Sequence, residues 1–307
     1  LILCNASNSN ITNITIIGSD TYQNNALLVY YTINSNFKNI NSSYNYDGIY
    51  LDSSSSNTLQ NITANSNSQY GIWLYISDSN TLQEITIVAN SGRRYGIYLY
   101  YSSSNILQNI TANSNSRYGI YLSHSSSNIL QNVTVKENQY YDIYFYASSP
   151  SHCNNLLQNV TGSGDRPIEY YNYSINLENK TLAELILCNA SNSNITNITI
   201  KGSDTKKNNA LLVYHTTNSN FKNINSSYNY DGIYLFYSSS NTLQNITANS
   251  NSQYGIYLYY SSSNTLQNIT ANSNWYGIHL FSFSNFNTLQ NITANSNRYG
   301  ISLDSSY

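Results

Sequence analysis

The sequence is poor in charge and contains no methionine. Only 8% of its 307 residues are charged, and the formal net charge is −2. Because nucleic-acid binding needs clusters of Lys and Arg to neutralise phosphates, this composition argues against a nucleic-acid partner. The absence of Met predicts a processed chain or a portion of a longer one. The sequence shows no signal peptide and no apolar run long enough to cross a bilayer, so we expect no membrane insertion.

Cysteine, proline and histidine are scarce as well. The three cysteines, Cys4, Cys153 and Cys188, define neither a disulfide framework nor a zinc site. The histidines are scattered without metal-ligand spacing, at His124, His152, His215 and His279. We therefore expect no metal and no cofactor. No segment offers ten residues of helical periodicity, which argues against a helical fold.

A short repeat dominates what the sequence does contain. The stretch SNTLQNITANSNSQYGIYLY at residues 240–259 recurs, lightly edited, at 56–75, 104–123, 127–146, 263–281 and from 286 onward. Matching positions are 22 to 25 residues apart. A fixed period in this range predicts a solenoid, in which each repeat buries its apolar face against the next.

The apolar residues alternate within the second half of each repeat. Ile256 and Leu258 fall on one face of an extended segment, and Tyr257 and Tyr259 fall on the other. The clusters of Asn and Ser between such segments have the composition of turns. The pattern therefore predicts short strands with Ile and Leu inward and Tyr outward.

The first half of the repeat contains a second extended run with an irregular spacing. Leu243, Ile246 and Ala248 are the expected inward residues, but Leu243 and Ile246 are three positions apart, which predicts a bulge near Asn245. The Asn that precedes this run in each repeat should stack into a hydrogen-bonded ladder, at Asn57, Asn80, Asn105, Asn128, Asn241, Asn264 and Asn287.

This repeat resembles the right-handed parallel β-helix repeat family, and more closely the Asn/Ser-rich β-helix surface proteins of archaea. The resemblance implies an all-β fold, a right-handed parallel β-helix (solenoid) of about 14 turns of roughly 22–25 residues with no capping helix. Stacked strands would lie about 4.8 Å apart. The fold hosts enzymes, adhesins and structural proteins alike, so it does not specify the function.

Two tandem copies make up the sequence. Residues 1–184 form the first copy and residues 185–307 the second, incomplete one, and residues 162–184 break the period as an irregular turn joining them. We expect one continuous solenoid. Three differences between the copies introduce lysine, namely Ile17 to Lys201, Tyr22 to Lys206 and Gln23 to Lys207.

Both ends of this solenoid would expose strand edges. No capping segment precedes Leu1, and the sequence stops in the middle of a repeat. Either the chain is cut from a longer one or its ends bury each other. In the second case Leu1, Ile2 and Leu3 would contact Ile301 and Leu303 of another copy, and a contact of this kind that does not close produces a filament.

The aromatic residues fall in register. The sequence has 33 Tyr, and stacked turns would bring neighbouring rings within pairing distance. They could stiffen the rod, bind neighbouring rods or glycans, or provide a path for charge. One column holds Tyr70, Tyr95, Tyr118, Tyr141, Tyr254, Tyr276 and Tyr299; another holds Tyr50, Trp73, Tyr98, Tyr121, Tyr144, Tyr234, Tyr257 and His279; a third holds Tyr75, Tyr100, Tyr146, Phe236, Tyr259 and Phe281.

The sequence is also rich in acceptor sites for N-linked glycans, which would supply the solubility that charge does not. The Asn-x-Ser/Thr sites are Asn5, Asn10, Asn13, Asn41, Asn61, Asn109, Asn132, Asn159, Asn172, Asn179, Asn189, Asn194, Asn197, Asn225, Asn245, Asn268 and Asn291.

These observations favour a structural, non-enzymatic protein outside the cell or at its surface. It would assemble head to tail into a filament or surface layer, with itself as partner and with covalent glycans. An alternative is a glycan-binding or adhesive module of a longer surface protein. A polysaccharide lyase or hydrolase is the third hypothesis, but the carboxylates rarely share a column on adjacent turns, as such catalysis would need.

Overall fold

A computed structural model describes residues 1–18, 26–90 and 95–306. The chain divides into two compact units, Leu1–Thr161 and Gly162–Tyr307. The boundary between the units coincides with the start of the segment predicted to join the two tandem copies. Each unit contains two parallel β-sheets.

The first unit is built from two seven-stranded sheets. The first sheet contains β1 (Ile2–Cys4), β3 (Leu27–Tyr30), β5 (Ile49–Asp52), β7 (Ile72–Tyr75), β9 (Tyr95–Tyr100), β11 (Tyr118–Ser123) and β13 (Tyr141–Tyr146). The second sheet contains β2 (Asn10–Thr15), β4 (Asn36–Asn41), β6 (Thr58–Thr63), β8 (Thr81–Val88), β10 (Ile106–Asn113), β12 (Ile129–Thr134) and β14 (Leu156–Thr161).

The second unit has the same plan, with sheets of seven and six strands. The seven-stranded sheet contains β15 (Ile168–Tyr171), β17 (Glu184–Cys188), β19 (Leu211–Tyr214), β21 (Ile233–Phe236), β23 (Tyr254–Tyr259), β25 (Tyr276–Phe281) and β27 (Tyr299–Asp304). The six-stranded sheet contains β16 (Asn176–Leu182), β18 (Asn194–Ile200), β20 (Asn220–Asn225), β22 (Thr242–Thr247), β24 (Thr265–Thr270) and β26 (Thr288–Thr293). The helices in the described part of the chain are two short 3₁₀ helices, Pro150–Cys153 and Ser163–Asp165.

Each turn of the chain places one strand in each sheet, and like residues pair with like. Ile97 lies beside Ile120, which lies beside Ile143 in the next turn. The two sheets with odd-numbered strands together hold fourteen strands, in agreement with the expected number of turns. The predicted parallel solenoid is therefore confirmed within each unit.

The interior is formed by the residues predicted to point inward. Ile256, Leu258, Leu243, Ile246 and Ala248 are all at most 1% exposed. Each fully buried aliphatic side chain contributes about 1.5–3 kcal/mol relative to exposure. Because every turn repeats the same inward positions, this apolar core continues along the second unit as one cluster.

The predicted bulge is present in the first half of the repeat. Leu243 pairs with Leu266 and Ile246 with Ile269, whereas Asn245 is left out of the pairing and has φ of 56°. Asn tolerates this left-handed conformation better than most residues. The bulge explains how two residues three positions apart both reach the core.

The predicted Asn ladder is also present, and its amides are buried. Asn57 N donates to Asn80 Oδ1 at 2.8 Å, and Asn80 N donates to Asn105 Oδ1 at 2.8 Å. A second buried ladder runs through Asn67 and Asn90. In it, Asn67 N donates to Asn90 Oδ1 at 2.7 Å. Each turn of the solenoid therefore satisfies backbone N–H groups of its neighbour through side-chain amides.

Candidate functional surfaces

The aromatic residues form continuous columns on the outer face of the odd-numbered sheets. Tyr98 and Tyr121 stack with ring centroids 4.8 Å apart and an angle of 10° between the ring planes. Tyr234 and Tyr257 stack at 5.0 Å and 5° in the second unit. Since neighbouring rings cover each other's faces, the columns present mainly ring edges to their surroundings.

The first of the predicted columns is largely buried in the first unit. Tyr95 and Tyr118 stack at 4.8 Å and 3°, and they are 6% and 8% exposed. Their rings also contact the second column, because the Tyr95 and Tyr121 centroids are 5.0 Å apart. The two columns pack into one layer, and the buried rings of the first are not available to a partner.

The third predicted column is in register, and a fourth lies beside it. Phe236 and Tyr259 of the third column have centroids 5.1 Å apart. In the fourth column, Tyr237 and Tyr260 stack at 4.8 Å and 9°, with φ of 51° and 50°. This fourth column was not predicted from the sequence, although the recurring Tyr-Tyr pair that ends several repeats could have indicated it. Its members include Tyr101, His124, His215, Tyr237, Tyr260 and Phe283.

Burial inside the aromatic layer changes the acidity of the phenols. Burial raises the pKa of Tyr254 to about 12, with further contributions from Asp231 and Tyr276. The pKa values of Tyr98 and Tyr121 are also raised, in both cases mainly by burial. These phenols stay protonated at neutral pH and act as packing groups with a hydroxyl.

The sequon residues of the bulges form an exposed ladder. Asn132 Nδ2 donates to Asn109 Oδ1 at 3.2 Å, and Asn159 Nδ2 donates to Asn132 Oδ1 at 2.9 Å. The amide that would carry a glycan is therefore engaged with the next turn. Asn13, Asn61, Asn179, Asn197, Asn245, Asn268 and Asn291 occupy the same ladder in their units.

The remaining sequon residues lie outside that ladder. Asn41 and Asn172 are partly buried, and the others are exposed at Asn5, Asn10, Asn189, Asn194 and Asn225. Asn194 also donates its Nδ2 to Asn176 at 2.9 Å. The structure thus places most of the predicted acceptor amides at the surface.

The predicted assembly ends differ in exposure. Leu1 and Ile2 are 48% and 67% exposed, whereas Leu3 is buried in the core at 6%. Ile301 and Leu303 are 49% and 62% exposed in β27. Strands β1 and β27 are the edges of their sheets within the described part of the chain.

Several carboxylates have identifiable partners. Glu169 binds Lys180 Nζ at 2.6 Å, and Asp304 contacts His279 Nε2 at 3.2 Å. Burial lowers the pKa of His279, and the Asp304 carboxylate opposes that shift. Over residues 1–18, 26–90 and 95–306, no three or more His, Cys, Asp or Glu are grouped to hold a metal ion. Nor is any helix in these ranges long and apolar enough to span a membrane.

The cysteines occupy different environments. Cys4 is exposed, and Cys153 and Cys188 are buried. Cys188 pairs with Tyr214 of the neighbouring strand, which is in line with the third aromatic column. Cys188 therefore lies on the outward face of β17, and the inward positions of that strand are Leu185 and Leu187.

The family model that describes a right-handed beta helix region matches residues 1–182 and 184–307. The chain belongs to the right-handed β-helix family. This one architecture explains the parallel winding, the repeat length and the inward columns of Ile and Leu. No curated protein is significantly similar in sequence to this β-helix chain.

Solved structures with a similar fold are distant. The catalytic domain of a GH87 α-1,3-glucanase in complex with nigerose is 13% identical, with a TM-score of 0.46, and the match covers 99% of this chain and 56% of the glucanase chain. The Dettilon tailspike protein is 11% identical, with a TM-score of 0.37 and coverages of 98% and 61%. The periplasmic alginate epimerase AlgG is 11% identical, with a TM-score of 0.33 and coverages of 92% and 78%. The β-helix chain therefore spans just over half the length of the glucanase, and likenesses this distant do not indicate an activity.

Proposed function

We propose that this β-helix is a structural, non-enzymatic protein that joins copies of itself end to end by strand addition. The observation that carries this proposal is a duplicated turn. The sequence LILCNASNSNITNITI occurs at residues 1–16 and again at residues 185–200. The second occurrence shows how the free edge of the first can be covered.

The second occurrence is an internal turn with a neighbour on each side. Strand β17 pairs with β19 on one side and with β15 on the other, where Tyr170 lies beside Ile186. Ile186 is fully buried, whereas Ile2, the same residue of the first occurrence, is 67% exposed. The sequence of the edge turn is thus compatible with a docked preceding strand.

Strand β27 of a second copy has the side-chain order that this edge requires. Ile301 and Leu303 continue the inward columns of Ile278 and Leu280. Leu3 continues the equivalent column of the first unit through Val29. If β27 docks on β1, Leu303 faces Leu3 and the core continues from one copy to the next.

The contact between β27 and β1 concerns the odd-numbered sheets. In the internal turn β18 pairs with β16, which lies between β15 and β17 in the chain, so the strand that would cover β2 is one that follows β27 and not β26. Unpaired strand edges associate readily with one another. A contact between two different ends of identical copies propagates into a filament.

The aromatic layer and the sequons fit the same role. Stacked rings that cover each other's faces add rigidity along the axis. The proposal includes an extracellular or cell-surface location and N-linked glycans on part of the exposed sequons, which would keep a weakly charged protein soluble.

Electron microscopy of the purified chain, with a mass spectrum of the same sample, tests the proposal. We expect fibres for the unmodified chain and isolated molecules for Ile2→Pro. Leu1 O accepts from Leu28 N, and Asn5 N donates to Tyr30 O, both at 2.9 Å. Since the backbone groups of successive residues point to opposite sides of a strand, the Ile2 N–H points away from β3. Proline there removes a donor of the free edge and leaves the β1–β3 pairing intact.

The matched control is Ile17→Lys. Ile17 is 60% exposed, and the second copy naturally carries Lys201 at this position, where it stays about half exposed beside a docked turn. The control should still form fibres. Fibres from Ile2→Pro, or isolated molecules from the unmodified chain at high concentration, would contradict strand addition at β1.

A glycan-binding surface is the second candidate. It is favoured by the exposed rings of the fourth aromatic column, such as Phe283 and Tyr101, which are 62% and 47% exposed. Soluble single molecules that bind glycan arrays through these residues would favour this function over assembly.

A further inference from the structure

The second unit contains a concentration of positive charge that is unusual for this protein. The whole sequence has 12 Lys and Arg residues. Four of them meet around one loop, where Arg166, Lys201, Lys206 and Lys207 are accompanied by the carboxylate of Asp204. Even when Asp165 is counted beside Arg166, four cations face two carboxylates. The loop therefore carries net positive charge on a chain whose net charge is negative.

Hydrogen bonds hold this loop in a defined shape. Arg166 donates to Gly202 O at 2.6 Å and binds Asp204 Oδ1 at 2.6 Å. Lys201 Nζ also binds Asp204 Oδ1 at 2.6 Å. Hydrogen bonds from Lys201 and Arg166 hold the pKa of Asp204 below its usual value. Asn208 Oδ1 accepts from Ser203 N at 2.6 Å and closes the loop. Arg166 and Lys201 thus serve the loop structure.

A cavity opens between this loop and the turn that follows β20. Its volume is about 380 Å³, comparable to the lower range of small-ligand sites. Lys206 and Lys207 line it from the loop, and Asn225, Ser227 and Tyr228 line it from the turn. Tyr228 is 66% exposed and is absent from the stacked columns described above. Its ring is therefore exposed to a ligand.

The first copy does not carry these charges. Lys206 and Lys207 replace Tyr22 and Gln23, which lie outside the residues that the structure describes. Lys222, by contrast, is matched by Lys38 in the first copy. The basic cavity is therefore a feature of the second copy and is not required by the repeat.

We propose that this cavity binds a sugar that carries a sulfate or phosphate group. Lysine ammonium groups bind tetrahedral oxyanions as point charges, and Lys206 and Lys207 supply them. Ser227 Oγ donates to Asn225 Oδ1 at 2.8 Å and so orients this amide, whose Nδ2 group matches a sugar hydroxyl. The face of Tyr228 matches the apolar face of a sugar ring. A free anion would contact only the two lysines, and a neutral sugar would contact only the residues on the β20 side of the cavity. A charged sugar would contact both.

Isothermal titration of the full chain with a sulfated disaccharide tests this site. The test variant is Lys206→Tyr with Lys207→Gln, which restores the residues of the first copy. The control variant is Lys222→Gln, which removes one exposed lysine outside the cavity. Thermal unfolding of all three proteins shows whether the fold is intact, and we expect unchanged midpoints.

The sulfated disaccharide should bind the unmodified chain and the control alike, and the double variant roughly tenfold or more weakly. The desulfated disaccharide and inorganic sulfate should each bind roughly tenfold more weakly than the sulfated sugar. A phosphorylated sugar should compete with it. Equal binding by the double variant would overturn the site, and equal binding of inorganic sulfate would overturn the role of the sugar. Fibre formation should be the same in the double variant, so this test is independent of end-to-end assembly.

Discussion

Replacing Asn105 by Ala should destabilise the solenoid more than any substitution of an exposed Asn. Asn105 is fully buried in the first Asn ladder. Its Oδ1 accepts from Asn80 N at 2.8 Å, and its Nδ2 donates to Ser103 O and to Asn128 Oδ1, both at 3.2 Å. The alanine variant removes all three bonds and leaves the Asn80 N–H without its partner.

The expected loss follows from these contacts. A buried N–H left without a partner costs about 1–3 kcal/mol, and each lost side-chain bond contributes about 0.5–1.5 kcal/mol. The orphaned Asn80 N–H and the two lost Nδ2 bonds together cost roughly 2–6 kcal/mol, a large share of the about 5–15 kcal/mol that stabilises an ordinary domain. Asn105→Asp should cost more at neutral pH, because it places a buried carboxylate against Asn128 Oδ1, and protonation at low pH should recover part of the loss.

The matched control is Asn109→Gly in the exposed ladder four residues away. Asn109 has φ of 55°, which glycine adopts without strain, and its amide bonds are at the surface. We expect it to cost less than about 1 kcal/mol. Urea unfolding followed by circular dichroism gives the two values, and hydrogen exchange of residues 76–81 reports the local effect. Equal losses in both variants would refute a stabilising role for the buried ladder.

Three further predictions concern protonation and modification. Burial lowers the pKa of His279, although the Asp304 carboxylate opposes the shift. The folded protein is therefore less stable in acid, because the neutral His279 side chain stabilises it only above the pKa of the unfolded chain. His279→Tyr should reduce the fall in melting temperature between about pH 7 and about pH 5. The pKa of Tyr254 is raised to about 12, so its contribution to stability is lost as pH rises through that value, and Tyr254→Phe should reduce the fall in melting temperature between about pH 10 and about pH 12. Asn109 and Asn132 bond directly, so mass spectrometry of a peptide spanning both should show a glycan on one or the other.

The repeat pattern was sufficient to predict the winding of the chain. Alternation assigned Ile256 and Leu258 to the core, and the spacing of Leu243 and Ile246 located the bulge at Asn245. These predictions succeeded because an inward position in a solenoid is decided by its own repeat and by identical neighbours above and below.

The pattern was less informative at the turns. The second buried ladder, through Asn67 and Asn90, was missed because a buried Asn and an exposed one look alike in an Asn-rich sequence. The fourth aromatic column was missed because Tyr237 and Tyr260 adopt left-handed backbone conformations, which alternation does not describe. The basic cavity depends on Arg166, which lies 35 residues before Lys201 and joins it only in the folded unit.

The duplicated turn also separates the effect of sequence from the effect of neighbours. Residues 1–16 and 185–200 are identical, yet within them β1 has three residues and β17 has four, and β2 has six and β18 seven. The strands are longer where a preceding strand is docked. Because identical sequences have identical intrinsic exchange rates, hydrogen exchange measures only the difference in their surroundings.

We therefore expect residues 1–16 to exchange faster than residues 185–200 in isolated molecules. Peptides that extend to Ile17 and to Lys201 differ in mass, so the two turns can be followed in one experiment. If β27 of a second copy covers β1, the protection of residues 1–16 should rise toward that of residues 185–200 as fibres form. Rapid exchange of residues 1–16 that persists in mature fibres would mean that the copies associate through another surface.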